Sequence, residues 1–222
     1  MFDSIAPDYD AFNHLTSLGI DRIWRRKALR FIDGPQVLDV ACGTGDFSIL
    51  IARKKNCGVT GVDISEGMLS EMRRKVEKAH LDRHVAALEG DCAALPFRES
   101  SFDTVTVAFG VRNFEDRNQC LKEIFRVLRP GGRFVMLELG VPGCPLVNRL
   151  YKFYFTRIMP LIGRRLTGNT TAYQYLPASV LHFPGPKEWT AFMRSAGFAN
   201  VRHRPLSFGI CRLYIAAKSS AD

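Results

Sequence analysis

Four points in the chain place a chemically useful side chain directly after a short apolar run. QVLDVAC (36–42) carries Asp39 and leads into Gly43-Thr44-Gly45. GVTGVDIS (58–65) delivers Asp63 and Ile64, and HVAALEGD (84–91) delivers Asp91, followed by Cys92. SFDTVTVAF (101–109) runs through Ala108 and breaks at Gly110 into Arg112-Asn113. A carboxylate at Asp39 can hold an ammonium, directly or through water. One at Asp63, about 20 residues past the glycines, can accept ribose hydroxyls. Asp91 and the backbone N–H of Cys92 can read adenine edges. Gly43 and Gly45 let the backbone approach a ligand closely, and the helix that follows offers unpaired N–H groups. A strand-end Asp by itself is usually a loop cap; four positions in register describe a pocket for a nucleoside that carries an ammonium.

These residues need a scaffold that brings strand ends together, and the patterning predicts one. After the glycine turn, DFSILIARKK (46–55) reads as a helix. SEGMLSEMRRKVEKAH (65–80) reads as another, with Ser65 as N-cap and Met68, Leu69, Met72 and Val76 on one face. DRNQCLKEIFRVLRPGG (116–132) is a helix stopped by Pro130 and the glycines, and RFVMLEL (133–139) is a fifth strand. Five alternations of strand and helix predict an α/β fold with a mostly parallel, doubly wound sheet. Ligands of such sheets lie at the carboxyl ends of the strands. Residues 34–139 would form this core in a single domain. Residues 1–33 would form a helical cap, with Ile20, Ile23, Trp24, Leu29 and Phe31 partly on one stripe. Residues 140–185 would cover the substrate, and 186–222 would complete the sheet.

The 222 residues, 46% hydrophobic and 24% charged, suit one sizeable core. No apolar window of about 18 residues is free of charge, so no spanning helix is expected. MFDSIAPDYD lacks the basic and apolar regions of a signal peptide. The six cysteines show neither C-x-x-C nor zinc-ligand spacing, which fits reduced thiols in the cytoplasm and no metal site. The net charge of +9 sits in short clusters such as Arg25-Arg26-Lys27 and Arg73-Arg74-Lys75. No nucleic-acid module accompanies them. They read first as solvated helix faces and next as a membrane-facing surface.

The turn departs from the dinucleotide pattern G-x-G-x-x-G, because Ser48 stands at the third glycine. The remaining reading is S-adenosyl-L-methionine. The sequence resembles the C-methyltransferases of ubiquinone and menaquinone biosynthesis, a branch of the class I methyltransferases with a Rossmann-like fold. The likeness rests on FDSIAPDYDAFNHLTSLGIDRIWRR (2–26), LDVACGTGD (38–46), GVDISEGML (61–69), ALPFRESSFDTVTVAFGVRNFED (94–116), RVLRPGGRFVMLE (126–138) and AYQYLP (172–177). LGIDRIW with Asp21 is similar to the demethylmenaquinone branch. The resemblance implies methylation of a ring carbon of a prenylated naphthoquinol, with a benzoquinol precursor or another small hydroxylated aromatic as the alternative. It implies cofactor contacts at Thr44, Asp63, Asp91, Cys92 and Ala108.

Methyl transfer from a sulfonium needs positioning and exclusion of water. The acceptor carbon becomes nucleophilic when the neighbouring phenolic hydroxyl loses its proton. That hydroxyl titrates near 10, as tyrosine does. A guanidinium lowers the value, and Arg112 is the candidate, with Asn113 orienting the quinol oxygen or a water. An alternative partner for Arg112 is Glu115 or Asp116. Tyr9, His14 and Asp46 are second candidates, for proton relay. The stretches around Trp24–Arg30 and 150–166 would rest peripherally on anionic lipid at the inner membrane face, or else serve as lid and homodimer surface. A non-catalytic RNA-binding module is the third alternative, opposed by the complete set Asp39, Thr44, Asp63 and Asp91.

Overall fold

The computed structural model describes Asp10, His14 and residues 16–158 and 178–220. Among the described residues seven strands form one sheet: β1 (Gln36–Val40), β2 (Gly58–Asp63), β3 (Val85–Glu89), β4 (Phe102–Ala108), β5 (Leu128–Leu139), β6 (Ala199–Leu206) and β7 (Cys211–Ala217). Their order is β3-β2-β1-β4-β5-β7-β6. The first five pair in parallel, and β7 pairs antiparallel with both β5 and β6. The order reverses between β1 and β4, which opens a crevice beyond their carboxyl ends.

Helices cover both faces, and the strands alternate between them with the period of two that the pleat imposes. On β1, Leu38 and Val40 pack with Leu121 and Ile124 of α4 (Arg117–Val127) and Trp189 of α6 (Pro186–Ser195). Val37 faces the other way, with Trp24 of α1 (Asp21–Ala28), Ile51 of α2 (Asp46–Lys55) and Leu69 of α3 (Glu66–Lys78). A further helix, α5, spans Pro145–Phe153.

Local signals explain most boundaries. The Ser65 hydroxyl accepts the Met68 N–H at 3.3 Å and starts α3, as its sequence predicts. Asp116 caps α4 through the Gln119 N–H at 2.9 Å. That helix ends at Val127, short of the 132 expected. Pro130 disfavours helical backbone at Arg129, the residue before it, and the chain is already extended one residue earlier at Leu128, where β5 begins.

In α1 the inward positions are Asp21, Trp24, Arg25 and Ala28, spaced i, i+3, i+4 and i+7. The expected apolar stripe is wrong at Ile23, which is 49% exposed. Two charged residues take part in the buried face because they pair with each other. Trp24 is 3% exposed and donates its indole N–H to the Ser207 hydroxyl at 2.9 Å. The aromatic end of the Trp24–Arg30 stretch is therefore turned inward, away from any lipid.

Candidate active site

The glycine turn follows β1 through Ala41 (φ 51°) and reaches Gly45 (φ 80°), the N-cap of α2. A Cβ on Gly45 would collide with Met72 of α3, so this glycine serves both the backbone conformation and the packing. Asp63, at the end of β2, accepts the Gly43 N–H at 2.8 Å and the Ser65 N–H at 3.0 Å. One carboxylate thus ties the turn to the next strand end.

Asp39 is 1% exposed. Its two oxygens accept the hydroxyls of Ser48 and Thr106, each at 2.6 Å. Ser48 replaces the third glycine for a visible reason: it fastens α2 to the strand beneath it. Burial pushes the Asp39 carboxyl up to about 6, against the lowering effect of the two hydroxyls and the Arg25 guanidinium.

Two cavities meet at the crevice. The larger, about 410 Å³, falls within the size range of small-molecule sites, about 300–1,000 Å³. Asp63, Ile64, Asp91 and Cys92 line one side of it, and Asn113 the other. The smaller, about 70 Å³, is lined by Asp39, Thr44, Asp46, Arg25 and Arg112. Ala41, Gly43, Ala108 and Phe109 border both. Arg112 and Asn113, adjacent in the 3-10 turn Val111–Asn113, therefore face different chambers. Phe109 holds a left-handed backbone (φ 65°) at the junction, a conformation that costs energy and clusters at functional sites. Its ring lies 5.3 Å from the Arg25 guanidinium.

Arg112 does not pair with Glu115 or Asp116. Its Nη1 donates to Glu138 at 2.8 Å and also to the Phe109 carbonyl. Glu138 is 1% exposed and further accepts the backbone N–H of Arg112 at 3.0 Å and of Leu139 at 2.9 Å. The sequence reading missed Glu138. The available signal was a carboxylate inside the apolar run FVMLELG, where burial demands a partner.

Asp46 and His14 join a second charged network. Lys75 of α3 donates to Asp10 at 2.6 Å, to Thr44 at 3.2 Å and to Asp46. His14 spans Asp46 at 3.3 Å and Asp21 at 3.1 Å, and Asp21 pairs with Arg25. Burial would raise the Asp46 carboxyl, but Lys75, Arg25 and His14 outweigh it and hold the carboxyl below its ordinary value. Asp21 behaves alike, with burial overcome by Ser17, Arg25 and His14. Gly45 lies under the turn and borders neither chamber. Tyr9 lies outside the described residues, as does the AYQYLP motif.

A nucleoside-sized chamber at the switch point of this sheet, a carboxylate after each of β2 and β3, and an adjoining polar chamber define the class of S-adenosyl-L-methionine-dependent methyltransferases. The comparisons agree. A SAM-dependent methyltransferase from Aquifex aeolicus superposes with a TM-score of 0.63 at 18% identity, covering 87% of this chain and 89% of that one. The model of the ubiE/COQ5 methyltransferase family matches residues 1–218. The Geobacter sulfurreducens ubiquinone/menaquinone biosynthesis C-methyltransferase UbiE is 47% identical over 98% of this chain and 87% of its own length. The Bacteroides fragilis demethylmenaquinone methyltransferase is 43% identical over 98% and 91%. The chain belongs to the ubiE/COQ5 methyltransferase family.

Proposed function

We propose that the protein methylates a ring carbon of a prenylated demethylmenaquinol, with the donor in the 410 Å³ chamber and the quinol ring on the Arg112 side. The observation that carries this reading is the shared wall Ala41, Gly43, Ala108 and Phe109, which sets a nucleoside pocket against a chamber holding a buried guanidinium. The names of relatives at 43–47% identity support the substrate class. S-adenosyl-L-methionine, when bound, supplies an electrophilic methyl group. Asp63 and Asp91 hold its ribose and adenine in the larger chamber, and its ammonium end passes Gly43 toward Asp39 in the smaller one. Arg112 stabilises the phenolate of the quinol. Lowering that hydroxyl by about 2–3 pH units corresponds to roughly 3–4 kcal/mol. Asp46, flanked by His14 and Lys75, is the group placed to pass the proton outward.

The same reading sets the protein against a membrane surface, where a prenyl tail resides. No helix of the described residues is long and apolar enough to cross a membrane. Helix α5 instead exposes Leu146, Leu150 and Phe153 at 67%, 62% and 57%, spaced i, i+4 and i+7, with Arg149 and Lys152 beside them. Flotation with anionic vesicles is expected for the protein and lost in Leu150→Glu/Phe153→Glu; equal flotation of both rejects this surface.

Mass-spectrometric quinone profiling tests the reaction. In cells lacking their own quinone C-methyltransferase, expression of the protein restores menaquinone from demethylmenaquinone. Restoration of ubiquinone alone would reassign the acceptor, and restoration of neither would reject the proposal.

A further inference from the structure

A cleft of about 430 Å³ opens on the outer side of the Asp46–Arg25 wall, between α1, α2 and α3. Helical spacing brings the charges there. Arg22 and Arg26 lie one turn apart on α1, Arg53 lies two turns beyond Asp46 on α2, and Lys75 and Lys78 lie one turn apart on α3. Among the described residues six Lys and Arg side chains line the cleft, counting Arg25, against the one carboxylate of Asp46. Arg25 and Lys75 are occupied by Asp21, Asp46 and Asp10. Arg22, Arg26, Arg53 and Lys78 have no ion-pair partner among the described residues.

Exposed cations are ordinarily a solvated helix face. Here they converge from three helices on a concave site, and a cleft lined by one sign of charge focuses the field and concentrates counter-ions. Guanidinium forks match phosphate oxygens in pairs, and lysine adds a point charge. Ile49 and Leu50 supply an apolar part of the lining. We infer that this cleft is a binding site for a phosphate-bearing anion carrying two or more charges, either a free diphosphate or an anionic phospholipid headgroup. Arg25 and Asp46 border both this cleft and the Arg112 chamber, so a bound anion sits one side-chain layer from the acceptor.

The test compares the full chain with Arg53→Gln/Lys78→Gln, two exposed positions outside the proposed catalytic machinery. One arm titrates sodium pyrophosphate at ionic strength held constant with sodium chloride, so that general screening cancels. The other measures flotation with phosphatidylglycerol vesicles against phosphatidylcholine vesicles, with both proteins carrying Leu150→Glu/Phe153→Glu so that the apolar face of α5 does not contribute. Binding of S-adenosyl-L-methionine by the variant shows that it is folded. The expected result is saturable binding in at least one arm, weakened tenfold or more in the variant. Pyrophosphate alone identifies a soluble anion, phosphatidylglycerol alone a headgroup, and both the shared phosphate chemistry. Absence of binding in both arms, or binding that the double substitution leaves unchanged, overturns the inference.

Discussion

Replacing Glu138 with glutamine probes how Arg112 is held. The carboxylate accepts three hydrogen bonds: Arg112 Nη1 at 2.8 Å and the Leu139 N–H at 2.9 Å on one oxygen, and the Arg112 N–H at 3.0 Å on the other. A glutamine whose carbonyl takes the first oxygen's place keeps two of them. Its NH₂ then meets the Arg112 N–H, donor against donor. An orphaned buried N–H costs about 1–3 kcal/mol. The Arg112 side chain, 8% exposed, also loses its counter-charge. Removing one partner of a buried pair outright costs about 3–5 kcal/mol, and the retained amide contact moderates this. Together these terms predict a loss of about 2–4 kcal/mol for Glu138→Gln, read from urea melts with an unchanged m-value. Activity separates positioning from simple destabilisation. The guanidinium loses its anchor, so kcat falls. It also loses the opposing charge, so the acid limb of the kcat profile moves to lower pH. A variant within 0.5 kcal/mol of the parent by order of magnitude, with unchanged kcat and pH profile, would refute the reasoning.

Other outcomes follow from the same geometry. Burial raises Asp39 from 3.8 to about 6, so between these values the folded state holds the extra proton and stability falls as pH rises, by about 3 kcal/mol in total. Asp39→Asn removes that fall, so in melts the variant should gain about 2–3 kcal/mol on the parent between pH 4 and pH 7; a constant difference contradicts it. In Gly110→Ala the new Cβ lies 2.6 Å from the Ala41 Cβ, which costs about 1–3 kcal/mol of overpacking and weakens S-adenosyl-L-methionine in calorimetric titration; unaltered affinity and melting speak against a rigid wall. Lys75→Met removes the cation between Asp10 and Asp46, so kcat/KM for the quinol should drop about tenfold, or ~1.4 kcal/mol, while donor affinity stays near that of the parent. Loss of donor affinity instead would place Lys75 on the wrong side of the site.

The parallel core was legible because its signals are local. Apolar runs of strand length, the Ser65 cap and the glycine turn each follow from a few neighbouring residues, and the five carboxyl ends fall together once the alternation is read. Position in the crevice was harder. Asp39 was legible as a carboxylate near a strand end, but its two hydroxyl partners were not, one of them on a strand 67 residues away. Arg112 had acidic neighbours at 115 and 116, but its partner is 26 residues distant on β5. The charged face of α1 could not be read as buried, because Asp21 and Arg25 are tolerated inside by pairing with each other and with Ser17, His14 and Asp46. Periodicity gives which residues share a face, while the partners that permit burial come from elsewhere in the chain.

The most direct test of the central claim incubates the purified protein with S-adenosyl-L-methionine and a short-chain demethylmenaquinol under reducing conditions, and identifies the product by mass spectrometry and NMR. The account predicts a single new methyl on the ring carbon, formed by the parent and lost in Arg112→Ala together with the shift of the quinol's titration. Tight donor binding with no methylated quinone, or equal turnover by Arg112→Ala, would contradict it.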